Sequence, residues 1–377
     1  MEYIVYLTVL LLLGTLLSAL AHRLKISRVF FLLFAGMMLA QFDLVAFDDS
    51  AIFTIATLAL ILTVFDSATN IRVKEFLQES KDVIILTLTF LTLNAIILGT
   101  LFVAYTKLSF ILALIFSILM YGIDPLTVLS MLGKVKNRVI EMLEIEAILN
   151  TPLTIVLPLL FLSVLSKKGG FTVLSVSSTF FLLVYQLIIG VAIGLFIGFG
   201  IDYVLKKNYF GKLSYLALLT SATLAYAVSE IFDASGVIAI TVFGLYFGNS
   251  ALEEKPELER YMEIFSNILG ILVFILLGTI IQIEKQYIVM GILLFLAHLC
   301  IRFLSTFSLR WLTLRDRVFL ALNVPKGIDV AVVILLIITT YSKLEGLIII
   351  QHLALQFVLY SVILSTFVNA VYKVDDI

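Results

Sequence analysis

Long apolar runs separated by short polar segments make up most of this chain. Spanning about 30 Å of hydrocarbon takes roughly 20 apolar residues in a helix. Of the thirteen runs given below, the third, eighth and ninth contain fewer residues than a full crossing needs. The pattern predicts an all-α polytopic membrane protein with about 13 transmembrane helices, at residues 3–20, 27–44, 51–65, 83–105, 110–132, 145–165, 171–201, 213–228, 234–247, 264–283, 287–306, 318–340 and 347–372.

The composition agrees with this prediction and excludes other classes of protein. Of the 377 residues, 62% are hydrophobic and 14% are charged, whereas about a quarter of the residues of a soluble domain are charged. The net charge of -1 gives no basic surface for nucleic acid. The only cysteine, Cys300, has no partner for a disulfide, and the three histidines lack metal-ligand spacing. We therefore expect the lipid bilayer as the main partner, with no cofactor and no soluble regulatory domain.

The distribution of Lys and Arg predicts how the chain is oriented. If the N-terminus lies outside, the inner loops hold 18 of these residues and the outer loops 5, while Arg302 and Lys326 fall inside spans. Positive charge accumulates in cytoplasmic loops, so this asymmetry favours an odd number of spans and a cytoplasmic C-terminus. No positive stretch precedes the first apolar run, which indicates a retained first span rather than a cleaved signal peptide.

The thirteen spans divide into two halves of opposite orientation if the seventh is a connector. The predicted units are residues 1–166, 167–212 and 213–377, with a six-helix repeat in the first and in the last. In transporters with inverted repeats, Gly/Pro-interrupted spans at matching positions point to the substrate site. The fifth span carries Gly-Ile-Asp-Pro at 122–125, and the twelfth carries Pro-Lys-Gly at 325–327. We therefore predict discontinuous crossing helices 5 and 12.

Asp124 lies at the break in the fifth span. A carboxylate beside backbone carbonyls that have lost their helical partners forms a hard oxygen site for a small cation, and the same carboxylate can take a proton instead. The structural alternative is an aspartate that caps the second half-helix, whose N-terminus favours negative charge. Both roles are compatible with each other.

The sixth span carries three further polar residues. Glu146 and Asn150 share a helix face, and Thr151 lies about 100° round the helix from Asn150. Asn150 offers a neutral oxygen to a cation or, alternatively, an interhelical hydrogen bond. Glu146 needs a cation nearby, and we predict a structural ion pair with Arg302 of the eleventh span.

Lys326 and Asp329 flank the break in the twelfth span, three residues apart. Lys326 would offset the partial negative charge where the first half-helix ends, or the two would form a local pair that neutralises itself. Asp66 ends the third span, either within the transport core or at the inner membrane interface. His298, in the eleventh span, is predicted to be a hydrogen-bonded helix contact.

Together these features resemble the monovalent cation/proton antiporters, and specifically the sodium/proton exchanger branch with its NhaP-like proteins. The similarity extends over nearly the whole chain. The resemblance implies a secondary active transporter rather than an enzyme, a role in pH homeostasis, a homodimer and a plasma-membrane location. The motifs that carry it are Arg-Leu-Lys-Ile-Ser at 23–27, Phe-Asp-Ser-Ala at 65–68, Asp-Pro at 124–125, Ala-Ser-Gly-Val-Ile-Ala at 234–239, Arg302 and Pro-Lys-Gly at 325–327.

The sixth helix departs from the family pattern. The family typically reads Glu-Ser-Leu-Leu-Asn-Asp, whereas this chain reads Glu-Ala-Ile-Leu-Asn-Thr at 146–151. Thr151 therefore stands where the resemblance leads us to expect the ion-binding aspartate, and Ile123 replaces a threonine before Asp124. Three outcomes are open: Asp124 acts alone with Asn150 and Thr151 as neutral ligands, Asp329 supplies the missing charge, or coupling is lost and the substrate differs.

The preferred hypothesis is that Asp124 binds a monovalent cation, Na⁺ in the first instance, or a proton in alternation. The bundle of spans four to six and eleven to thirteen would move against the rest of the protein. One titrating group predicts exchange of one cation for one proton, which is electroneutral. The alternative is an uncoupled relative on the same scaffold: a cation uniporter, a channel-like protein or a sensor.

Overall fold

In the computed structural model, the described residues are 2–24, 27–42, 47–71, 81–124, 138–166, 173–252, 255–280, 284–340, 344 and 346–371. All regular secondary structure in these ranges is helical. The helices are α1 Glu2–Leu24, α2 Arg28–Gln41, α3 Asp49–Thr69, α4 Lys81–Thr106, α5 Phe110–Leu119, α6 Arg138–Ser166, α7 Val173–Lys206, α8 Ser214–Ile231, α9 Gly236–Gly248, α10 Lys255–Ile280, α11 Lys285–Ser305, α12a Leu314–Leu322, α12b Ile328–Thr340 and α13 Leu347–Val371.

The helix lengths confirm the all-α membrane prediction. Within the described ranges, α1, α3, α4, α6, α7, α10, α11 and α13 are long and apolar enough to cross a bilayer. Shorter apolar helices are α2, α5, α9 and α12b. The third span is longer than expected, because the Asp48 side chain caps α3 by accepting a hydrogen bond from Ala51 N at 3.1 Å.

The twelfth span is interrupted, as the sequence predicted, and the fifth span becomes non-helical at its predicted break, whose continuation lies outside the described residues. α5 ends at Leu119, and residues 122–124 are non-helical before the chain leaves the described range, so Pro125 lies outside it. α12a ends at Leu322 and α12b begins at Ile328. A third irregularity was not predicted: a π-helical turn, Asn94–Leu98, interrupts α4. Such turns occur frequently at functional sites.

The helices pack into two groups. In one, α2 packs on α10, α7 on α9, and α3 on both α9 and α10. In the other, α5 packs on α6, and α11 packs on α4, α12a and α13. The main contact between the groups is made by α12b against α3, with further contacts of α6 on α3. Both interrupted spans thus belong to the second group, beside the surface where the two groups meet.

Candidate functional site

The two interrupted spans meet through their main chains. Asp124 N donates a hydrogen bond to Pro325 O at 2.9 Å, so the break in the fifth span contacts the break in the twelfth. Proline removes a backbone donor and disfavours a helical residue before it, which explains why Asn323 and Val324 are non-helical and the Pro325 carbonyl is available. The Asp124 side chain is buried, with 5% of its surface exposed.

Gly327 allows the close approach of these two segments. A Cβ atom built on Gly327 would lie 2.5 Å from Asp124 Cβ and 2.7 Å from Asp124 Oδ1. Any side chain at this position would therefore displace the carboxylate. The Asp124 side chain thus lies directly against the main chain of the twelfth span.

Lys326 connects the same two breaks through its side chain. Its ammonium donates to Met120 O at 2.5 Å and Gly122 O at 2.8 Å, and it lies 3.3 Å from His298 Nε2. Met120 and Gly122 follow the end of α5, where helical carbonyls lack intrahelical donors. The cation therefore offsets the negative end of α5.

This arrangement corrects both predicted roles of Lys326. The sequence suggested that it serves its own half-helix or pairs with Asp329, but it serves the end of the other broken helix. No Lys326–Asp329 ion pair is present among the described residues. The physical reason is that an ammonium has three donors, and two carbonyls and a histidine nitrogen already receive them.

Lys326 is held in place by hydrogen bonds that continue through His298 and Asn94. His298 Nδ1 lies 2.9 Å from Asn94 Oδ1, and Asn94 Nδ2 donates to Ser117 O at 2.5 Å. Since the ammonium only donates, His298 Nε2 is assigned as the acceptor and Nδ1 carries the proton, which makes the imidazole neutral. The predicted helix contact of His298 is confirmed, and Asn94 belongs to the π-helical turn of α4.

The predicted ion pair between Glu146 and Arg302 is present. Arg302 donates two hydrogen bonds to the carboxylate, at 2.6 and 2.5 Å, and neither side chain is exposed. Arg302 Nε also reaches Leu320 O at 3.3 Å, and the guanidinium lies 4.7 Å from the Phe90 ring centroid. The pair therefore links α6 to α11 and neutralises its own charge.

Asn150 and Thr151 are both buried on α6. Asn150 Oδ1 accepts a hydrogen bond from the Tyr121 hydroxyl, which is the interhelical bond that the sequence left as one of two readings. The Thr151 hydroxyl donates to Ala147 O, one turn earlier in the same helix, at 3.1 Å. Both side-chain oxygens thus already have protein partners, although each keeps further acceptor capacity.

Asp329 lies at the start of α12b and is 2% exposed. No side chain in the described part of the protein donates a hydrogen bond to either of its carboxylate oxygens. A Cβ atom built on Gly122 would lie 2.7 Å from Asp329 Oδ2 and 2.6 Å from Thr154 Oγ1. Asp329, Thr154 and the main chain of the fifth-span break therefore meet at one place.

Asp66 has different neighbours from the other predicted core residues. It is partly buried near the end of α3, and the charges that act on it are those of Glu259 and Glu263 on α10. Three buried residues of this region, Tyr121, Thr154 and Asn94, were not predicted as site residues. Thr154 lies one turn beyond Asn150 on α6, and Asn94 is a lone amide within an apolar run. Both could therefore have been predicted from the sequence as buried polar residues of the core.

Comparison with known proteins identifies the family. The family described as "Sodium/hydrogen exchanger, transmembrane" matches residues 8–372. The chain belongs to this family. Sodium/hydrogen exchangers are transporters, which agrees with the expected class of activity, exchange of a monovalent cation for a proton across a membrane.

Individual relatives of this exchanger agree in fold and differ in the cation that their names state. A probable Na⁺/H⁺ antiporter 2 from Methanocaldococcus jannaschii is 26% identical over 364 residues, which cover 90% of this chain and 85% of the relative. The K⁺/H⁺ antiporter NhaP2 of Shewanella sp. (strain MR-4) is 24% identical over 328 residues, 82% of this chain and 56% of that protein. The solved sodium proton antiporter MjNhaP1, also from M. jannaschii, superposes with a TM-score of 0.82 at 22% identity, over 97% of this exchanger and 98% of that chain.

Proposed function

We propose that this protein exchanges Na⁺ for H⁺ by alternating access, with Asp124 as the group that binds either ion. The observation that carries the proposal is the position of Asp124: a buried carboxylate at the junction of two interrupted helices, against the main chain of Gly327. Substrate and ion sites of transporters with interrupted helices lie at such junctions. Asn150 and Thr151 are the proposed neutral ligands.

Competition for one binding place is what makes the process an exchange. A negative charge that is not compensated is costly in the membrane interior, by at least about 2.5 kcal/mol on insertion scales. The site therefore changes its accessibility readily when it holds a cation or a proton, and poorly when it is empty. The group of α4, α5, α6, α11, α12a, α12b and α13 is the proposed moving unit.

We propose Na⁺ as the transported cation because several relatives are named Na⁺/H⁺ antiporters, among them the probable antiporter 2 of M. jannaschii. The K⁺/H⁺ antiporter name of a Shewanella relative makes K⁺ the second choice. The alternative function is an uncoupled cation path or sensor, which the threonine at position 151 favours. The ion pair of Glu146 with Arg302 and the two interrupted helices support a complete transport core.

Flux measurements in proteoliposomes test the proposal. A Na⁺ gradient should drive proton movement through the native protein, and Asp124→Asn should abolish it. Asp202→Asn is the matched control: Asp202 is equally buried but pairs with Lys206 at 2.6 Å on α7, in the other helix group. Undiminished flux through Asp124→Asn contradicts the proposal. An uncoupled cation path would generate current under a membrane potential, whereas one-for-one exchange would not.

The topology is proposed to follow the sequence prediction. It has two inverted repeats, residues 1–166 and 213–377, joined by a connector at 167–212. The N-terminus lies outside and the C-terminus in the cytoplasm of a plasma-membrane homodimer. Labelling of single cysteines placed in the loops, with Cys300 replaced, tests the orientation. Cross-linking in the membrane tests the dimer.

A further inference from the structure

Within the described residues, the buried charges at the two breaks that lie outside the Glu146–Arg302 pair are those of Lys326, Asp124 and Asp329. Glu146 and Arg302 cancel each other through their bidentate pair. Lys326 has three acceptors around its nitrogen, Met120 O, Gly122 O and His298 Nε2, which matches the three donors of an ammonium. A positive Lys326 and a negative Asp124 alone would already sum to zero. The uncompensated negative charge on which the proposed exchange depends therefore needs a second acid beside Asp124.

Asp329 supplies the negative charge that this balance lacks. It is 2% exposed, and neither oxygen accepts a hydrogen bond from a described side chain. The main-chain N–H groups of Asp329 and Val330 and the charge of Lys326 act on this carboxylate. A buried carboxylate without a side-chain donor or a direct counter-ion is nevertheless costly, so the arrangement indicates that another positive species satisfies it. The Asp124 charge also acts on it, which places the two acids in one electrostatic unit.

The surroundings of Asp329 provide further oxygen ligands. The Thr154 hydroxyl of α6 is fully buried and has no hydrogen-bond partner within the described ranges. It and Asp329 Oδ2 both lie against Gly122, where a Cβ atom would approach them to 2.6 and 2.7 Å. A carboxylate and a hydroxyl at an interrupted helix form an oxygen donor set suited to a hard cation, and the carboxylate can take a proton instead.

We propose that Asp329 is a second ion-binding carboxylate, with Thr154 as its neutral neighbour, and that it takes over the charge that Thr151 cannot supply from the sixth helix. The proposal rests on the exchange function proposed above. With Asp329 included, the described residues of the empty core carry one net negative charge, because two carboxylates oppose one ammonium. One monovalent cation or one proton then makes it neutral, so the one-for-one exchange is retained.

The structural alternative is that Asp329 only stabilises the N-terminus of α12b, where an acidic residue is favourable. Charge and shape can be separated by substitution. Asp329→Asn keeps the shape and hydrogen-bonding capacity but removes the charge, whereas Asp329→Glu keeps the charge. A purely structural role predicts that Asn is tolerated at least as well as Glu.

The decisive experiment compares Na⁺-driven proton flux for native protein, Asp329→Asn, Asp329→Glu and the double variant Asp329→Asn/Lys326→Gln in proteoliposomes. In Asp329→Asn the core carries one uncompensated positive charge whether Na⁺ or a proton is bound. The cost of one such charge in the bilayer corresponds to a rate ratio of roughly a hundredfold, so flux should fall by about that factor. Removing the positive charge of Lys326 as well restores one net negative charge in the empty core. The double variant should therefore recover most of the flux, and Asp202→Asn should match native protein.

Flux through Asp329→Asn equal to native overturns the proposal, and so does a well-folded double variant that stays as inactive as Asp329→Asn. If the double variant does not fold, the comparison of the Asn and Glu variants decides, with Asp329→Glu expected to be the more active. A second readout is the rise in Tm on adding Na⁺ to purified protein, which Asp329→Asn should lose. If native protein exchanges no ions, the exchange function fails, but this binding measurement still tests Asp329.

Discussion

Arg302 and Glu146 form a bidentate ion pair in which both side chains are completely buried, with N–O distances of 2.6 and 2.5 Å. They lie 156 positions apart in the sequence and join α11 to α6. Because the pair is neutral as a whole, it can stay inside the membrane while the charge of the neighbouring site changes. We therefore assign it a structural role, next to the proposed ion site.

Removing one partner of this pair should destabilise the protein strongly. Glu146→Gln or Arg302→Met leaves a buried charge without compensation, which costs about 3–5 kcal/mol. The double variant removes both charges and should lose less stability than either single one. Thermal unfolding in detergent measures this as the loss in Tm.

The matched control for this prediction is the exposed pair of Arg138 and Asp82, at 3.2 Å, in which Arg138 is 71% exposed. Because solvent screens such pairs to about 0–1 kcal/mol, Arg138→Met should change Tm little. Equal losses in Tm for Arg138→Met and for Arg302→Met would contradict this prediction.

Gly327→Ala should impair transport without unfolding the protein. The added methyl group would lie 2.5 Å from Asp124 Cβ, so the carboxylate must move. Displacing a reacting group by about 1 Å can cost on the order of a hundredfold in rate, and we expect a flux loss of at least about tenfold. Gly200→Ala is the control, since a methyl group there meets no atom within 4 Å. Native-like flux through Gly327→Ala would show that the close contact is unimportant.

Lys326→Met should lower stability by more than Lys326→Gln. Methionine leaves Met120 O and Gly122 O without their donor, and each unsatisfied buried acceptor costs about 1–3 kcal/mol. Glutamine keeps two N–H donors on a shorter side chain and should retain part of this stability. Tm measurements in detergent compare the two, and equal Tm values would exclude the capping role of Lys326.

The sequence was sufficient to predict the elements of the site but not how they are connected. The helix breaks at Asp124 and at Pro325 followed from local proline and glycine chemistry, and the Glu146–Arg302 pair followed from the cost of isolated charges in a membrane. The partners of Lys326 could not be predicted, because they depend on how the two broken spans cross. The sequence placed Lys326 close to Asp329 along the chain, yet the nearest acceptors belong to residues 204 and 206 positions away.

A main-chain hydrogen bond from Asp124 to Pro325 and the side-chain contacts of Lys326 join the two breaks, so the proposed change in accessibility has to occur elsewhere. The nearest place is the seam where α12b lies on α3. The apolar side chains of α12b from Val330 to Ile337 are buried, and the buried side chains of α3 include Ala56, Ala59 and Leu60. Apolar side chains impose no directional bonds on their neighbours. We therefore expect α12b to slide on α3 at little cost, and the two breaks, which are bonded to each other, to move as one unit.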